Sequence, residues 1–150
     1  MSSKSPKIAE LIRNCQGNAL PAHFLCYFKC FNNQDYYEAH DVLEELWLAD
    51  GKTGANYAFY KGLIQGAGAF VHLKLNYEFP DHHVHGNRLN PAARLFRRAL
   101  ENTENYKPKH MDLDISHFQN VCRYYLTQLE TSDYMQNPWD PKNPPQLELG

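Results

Sequence analysis

The segment from Ala55 to Asn76, ANYAFYKGLIQGAGAFVHLKLN, constrains the fold of this chain more than any other stretch. Its apolar residues recur around most of a helical circumference, and a helix of that kind belongs in the centre of a protein, covered on several sides. Gly62, Gly66 and Gly68, with Ala67 and Ala69, cost helix propensity. They also remove side-chain bulk and let a neighbouring backbone come close. Lys61, Gln65, His72 and Lys74 interrupt the segment too often for small-residue packing inside a membrane. The rest of the chain must therefore supply the cover.

That cover reads as helical. Pro6 opens a short helix to about Cys15, and LPAHFLCYFKCF ends near Asn32 and Asn33. The next stretch, QDYYEAHDVLEELWLADG, has Asp35 as N-cap, Glu38 three residues on to complete an acidic capping box, and Gly51 as its stop. EFPDHHVHGNRLN reads as a loop. Asn90 and Pro91 then start a helix to about Glu101, and another begins near Asp114 with Ile115, Phe118, Val121, Cys122, Tyr125, Leu126 and Leu129 at helical spacing. Two-residue alternation of the strand type is nearly absent. The expected class is all-α, a compact array of about five to six helices. Prolines rule out a helix from Asp133 onward, which predicts a single helical domain over residues 1–132 and an extended C-terminal tail over 133–150, anchored by Trp139 and Leu147. On this reading the helical core folds without the tail.

A length of 150 residues suits one core, and a formal net charge of −2 offers no basic field for nucleic acid or an anionic membrane. The N-terminus lacks the apolar run of a signal peptide, and no segment reaches the length of a membrane span. The expectation is a cytoplasmic protein with no membrane insertion. Cys15, Cys26, Cys30 and Cys122 fit no secreted disulfide framework and read as reduced, small buried hydrophobes. Cys26 and Cys30 share a helix face, but that spacing alone is a weak metal or redox signal.

Candidate chemistry concentrates on the helix after Asp35. At about 100° per residue, Ala39, Val42, Leu43, Leu46 and Trp47 form its apolar arc, and Glu38, Asp41 and Glu45 are expected to face water as a solvated side. His40 sits at the edge of the arc and Glu44 one turn on, so the two side chains can converge, with Tyr37 on the same side. The central helix carries Lys61, Gln65 and His72 in a narrow polar sector. Facing stripes would make a pocket holding His40, Glu44, Gln65 and His72, with Tyr37, Lys61 and Trp47 at its rim.

FNNQDYYEAHDVLEELW followed by FYKGLIQGAGAFVHLKLN resembles domain-of-unknown-function family 309, over roughly residues 31–100. The resemblance implies a small all-helical protein and carries the family's recurrent polar positions onto Tyr37, Glu38, His40, Glu44, Glu45, Trp47, Gly62, Gln65 and His72. Asp41 stands where the family more often has glutamate, Lys61 where it often has glutamine, and the loop from Tyr77 to Asn90 is longer than usual. The family supplies a fold and no reaction, so function must be argued from the site.

Two readings of that site stay open. In the first, the chain is a ligand- or partner-binding module whose polar pocket lies between two core helices, with Tyr37, Trp47, Lys61 and Gln65 as binding residues. The partner is a small molecule or another protein, and a homo-oligomer is left open. In the alternative, it is a metal-dependent or acid–base, hydrolase-like enzyme in which His40, Glu44 and His72 are catalytic. The same three would ligate a divalent metal with water in the open position. His40-Asp41-Val42-Leu43-Glu44 is a weakened H-E-x-x-H pattern, and paired di-iron Glu-x-x-His units are missing because Tyr37 takes the glutamate position. A buried hydrogen-bond network built on the same residues would serve the first reading. His82, His83 and His85, with Asp81, form a second histidine cluster, read as an exposed polar loop.

Overall fold

A computed structural model describes residues 6–15, 19–82 and 88–150 of the chain. Its helices are α1 (Pro6–Asn14), α2 (Ala22–Asn32), α3 (Tyr36–Asp50), α4 (Tyr57–Glu78), α5 (Leu89–Thr103) and α6 (Ile115–Thr131). A 3-10 turn, Glu104–Tyr106, follows α5. Between it and α6 lies a two-residue antiparallel ribbon, β1 (Lys109–His110) and β2 (Leu113–Asp114). The class is all-α.

α4 is central, as its all-round apolar surface requires. It packs along α3 on one side and α5 on another, while α2 covers α3 and α6 covers α5. Phe70 of α4 shows how the layers meet. Its ring lies 5.4 Å from Phe31 of α2, 5.2 Å from Tyr36 of α3, 5.1 Å from Phe96 of α5 and 4.9 Å from Tyr125 of α6. Three of these contacts are edge-on, the geometry that aromatic quadrupoles favour. Tyr27 crosses from α2 and donates its hydroxyl to Leu63 O at 2.7 Å, so a large buried ring keeps its polar end satisfied.

Glycine sets the spacing of α4. A Cβ on Gly62 would stand 2.6 Å from Thr103 Cγ2 and 3.2 Å from Ala99 O, so α5 lies against bare backbone there. A Cβ on Gly66 would come within 2.9 Å of Phe118 Cζ on α6.

The helix ends follow the local chemistry only in part, and α5 starts at Leu89, after Arg88 and without a side-chain cap, so Asn90 lies within the helix and not at its cap. Gly51 takes φ 74° and returns its N–H to Trp47 O, closing α3. Asp114 caps α6 by accepting from His117 N at 2.9 Å. Asp35 stands at the head of α3, but the expected capping box does not form, because its carboxylate accepts from Asn33 Nδ2 at 3.0 Å and makes no cap bond. The corner is closed by backbone instead, with Asp35 N donating to Cys30 O at 2.8 Å and Gln34 in the left-handed region at φ 64°. α4 starts two residues later than its apolar pattern suggests, since residues 51–56 are taken up by turns in which Gly54 N reaches Gly51 O and Tyr57 N reaches Gly54 O.

Residues 133–150 carry no helix, as their prolines require, yet they are stitched to the core. Trp139 is buried and donates Nε1 to Tyr36 OH at 3.0 Å. Leu147 is fully buried, with its backbone N–H and C=O both held by the Asn32 amide at 2.7 Å. Leu149 bridges to Leu113.

Candidate functional site

α3 places the candidate groups. His40 Nδ1 lies 3.0 Å from Asp41 Oδ1, and among the described residues His40, Asp41 and Glu44 each offer a ligand atom with all three within 4.8 Å of one another. The convergence of His40 and Glu44 follows from their one-turn spacing. Asp41 joins them through the carboxylate that meets the His40 ring. The His40 ring faces Gly68, where an added Cβ would make ordinary van der Waals contact with His40 Cδ2 at 3.8 Å. The Tyr37 ring stacks over His40 at 6.4 Å between centroids.

Asp41 and Glu45 do not face water as the helical projection predicts. They are 7% and 6% exposed. The reason is tertiary, because α1 and α2 both pack on α3. A buried carboxylate has to be partnered. Asp41 is met by His40, and Glu45 by His23 Nε2 of α2 at 3.4 Å. The available signal was the apolar side of α1, with Ile8, Leu11 and Ile12, which needs a surface to cover.

The other predicted residues are drawn to different neighbours. Gln65 Oε1 accepts from Asn102 Nδ2 of α5 at 2.7 Å. Lys61 Nζ lies 5.9 Å above the Tyr57 ring, and Trp47 packs against that same ring at 5.2 Å. Trp47 lines a separate hollow with Leu48, Gly51, Lys52 and Tyr57. Tyr37 belongs to a groove of about 260 Å³ between the head of α3 and the later turns of α4, where Val71 and Leu75 form the apolar floor and Lys74 reaches Gln34 O at 3.0 Å. Of the second histidine cluster, His82 is exposed, and His83 and His85 lie outside the described residues.

His72 sits one turn beyond Gly68 and takes Arg88 as its partner. Arg88 NH1 donates to His72 Nδ1 at 3.1 Å, which puts the ring proton on Nε2. Burial, then the charges of Arg88 and Arg94, push His72 down to about 4. The unfolded chain binds a proton here near pH 6.5 while the folded chain resists until about pH 4, so stability is full above 6.5 and is lost as pH falls between those values. The loss expected is roughly 1–2 kcal/mol after allowance for the solvent that reaches a partly exposed ring. Urea melts at pH 7 and pH 4.5 should show it, and His72→Gln, which keeps a neutral acceptor, should flatten the difference. An unchanged pH dependence in that variant would remove His72 as its source.

These features define an all-α protein with a histidine–carboxylate cluster on its third helix, seated against the glycine face of its fourth. Residues 24–78 match the model of the family described as Domain of unknown function (DUF309), which bears out the resemblance over the span of α2, α3 and α4. The match begins earlier than the quoted motifs and stops before α5. No curated protein and no solved structure matches the chain. Among the described residues, no helix is long and apolar enough to cross a membrane.

Proposed function

We propose that this chain is a small binding module whose centre is the His40–Asp41–Glu44 cluster, and that the cluster takes a divalent cation. The observation that carries this reading is the convergence of one imidazole nitrogen and two carboxylates, all within 4.8 Å of one another, on a single rigid helix. An N,O,O donor set suits a borderline transition metal such as zinc or manganese and leaves coordination positions open to water or a small anionic ligand. The ligand set differs from that read in the sequence, with Asp41 in place of His72. Tyr37, which stacks on the imidazole and lines the neighbouring groove, would border anything bound there.

The enzyme alternative draws less support. His72, pushed down to about 4, is neutral at pH 7 and so is no imidazolium acid, and the lone pair on Nδ1 that a base or ligand would use is taken by Arg88. Gln65 is engaged by Asn102 and Lys61 lies over the Tyr57 ring.

Equilibrium dialysis of the untagged full chain against zinc and against manganese tests the reading. One equivalent should bind, and His40→Ala, Asp41→Asn and Glu44→Gln should each weaken it by at least about tenfold. A chain in which His82, His83 and His85 are all replaced should bind as before. If the three α3 variants bind like the wild type, or the loop variant alone loses the metal, the cluster is not the centre.

A further inference from the structure

Away from α3, the end of α1 and the middle of α2 bring two thiols into contact. Cys15 Sγ and Cys26 Sγ lie 2.6 Å apart, across eleven residues of chain. Cys26 also donates to Leu11 O at 2.8 Å, which fixes the direction of its thiol proton. The two positions differ in access. Both are buried, but Cys26 is wholly enclosed, whereas Cys15, 4% exposed, lines a groove of about 390 Å³ bordered by Leu25, Phe28, Lys29 and Leu149. A solute the size of a peroxide can use that groove, whose wall carries both Lys29 and Glu148. Cys30, one turn from Cys26 on α2, and Cys122 on α6 are both buried.

We infer that Cys15 and Cys26 are a peroxide-sensitive pair that closes into a reversible disulfide tying α1 to α2. Cys15, at the groove, is the sulfur that meets the oxidant. Its thiolate attacks one oxygen of hydrogen peroxide, the O–O bond breaks, and the departing hydroxide leaves as water with the thiol's proton, giving a sulfenic acid at Cys15. Cys26 Sγ then attacks that sulfur. The S–O bond breaks, the S–S bond forms, and a second water leaves with the proton that Cys26 had directed at Leu11 O. Two electrons pass from the sulfurs to the peroxide, and an added dithiol returns them. Burial raises the Cys26 thiol well above its ordinary range, which keeps it protonated until Cys15 has been oxidised beside it.

The experiment is a peroxide titration of the reduced full chain, read by thiol counting and peptide mass mapping. Two of the four thiols should disappear, and the intact mass should fall by about 2 Da, the two hydrogens lost. One peptide pair should be joined through Cys15 and Cys26, and dithiothreitol should restore all four thiols. Cys15→Ser and Cys26→Ser should each abolish the joined pair, and Cys30→Ser should keep it. The wild-type peptide map decides the matter even if a serine variant folds poorly. A wild-type chain that gains only oxygen, keeps all four thiols, or joins Cys26 to Cys30 would overturn the inference.

Discussion

Ending the chain at Ser132 is expected to lower its stability by several kcal/mol, and Trp139→Ala alone by about 3–5 kcal/mol. Trp139 and Leu147 are 4% and 0% exposed, and they join the same buried cluster as the helices. Removing them uncovers Tyr36, whose ring lies edge-on to Trp139 at 6.1 Å, and it strands polar groups that the tail now satisfies. Tyr36 OH loses the Trp139 indole, and Asn32 loses both backbone partners on Leu147. Stranding such groups costs about 1–3 kcal/mol each where they stay buried. A domain of this size has only about 5–15 kcal/mol in hand. Urea unfolding followed by far-ultraviolet circular dichroism, on the full chain, on Trp139→Ala and on the chain ending at Ser132, measures the effect. Equal midpoints for all three would mean that the core stands alone, as the prolines taken by themselves suggest.

The tail shows where sequence patterns lose reach. Prolines exclude a helix from local geometry alone, and Trp139 and Leu147 stand out as anchors because large apolar residues among prolines want cover. How far the anchors are buried depends on Asn32, more than a hundred residues away, whose amide pairs with the Leu147 backbone much as a neighbouring strand would. No periodicity within the tail records that pairing.

The same limit governs the candidate site. His40 and Glu44 converge because both lie on one helix, where spacing fixes direction. Lys61, Gln65 and His72 also share a sector of α4, but a helix apolar on most sides has several neighbours, and spacing cannot say which one the sector meets. Gln65 turned to Asn102 of α5 and His72 to Arg88 at the end of the loop that follows α4. The acids went the other way. Asp41 and Glu45 look solvated in projection, and they became buried because α1, a short helix with an apolar side to hide, lies nearby with α2. Charge on a helix face predicts exposure only where nothing else needs that face.

Gly62→Ala is expected to cost about 2 kcal/mol, against the gain of up to about 1 kcal/mol that alanine brings to an ordinary helix interior. The new methyl would stand 2.6 Å from Thr103 Cγ2, and Thr103 is poorly able to turn away. Its hydroxyl donates to Ala99 O at 2.8 Å and accepts from Gln119 Nε2 at 3.1 Å, so another rotamer would break both bonds in a fully buried place. Ala99 O, 3.2 Å from the methyl, is backbone and cannot move without α5. Gly68→Ala should behave in the opposite way. Its methyl would meet only the end of Leu95 at 3.3 Å and His40 Cδ2 at 3.8 Å, and a leucine tip can shift by the few tenths of an ångström required. Helix propensity then prevails, and the variant should match or exceed the wild type by up to about 1 kcal/mol. Paired urea melts of the two variants test the close approach of α4 to α5. A Gly62→Ala protein as stable as Gly68→Ala would mean that the helices are not in contact at Gly62, and that the glycines of α4 are there for some other reason than spacing.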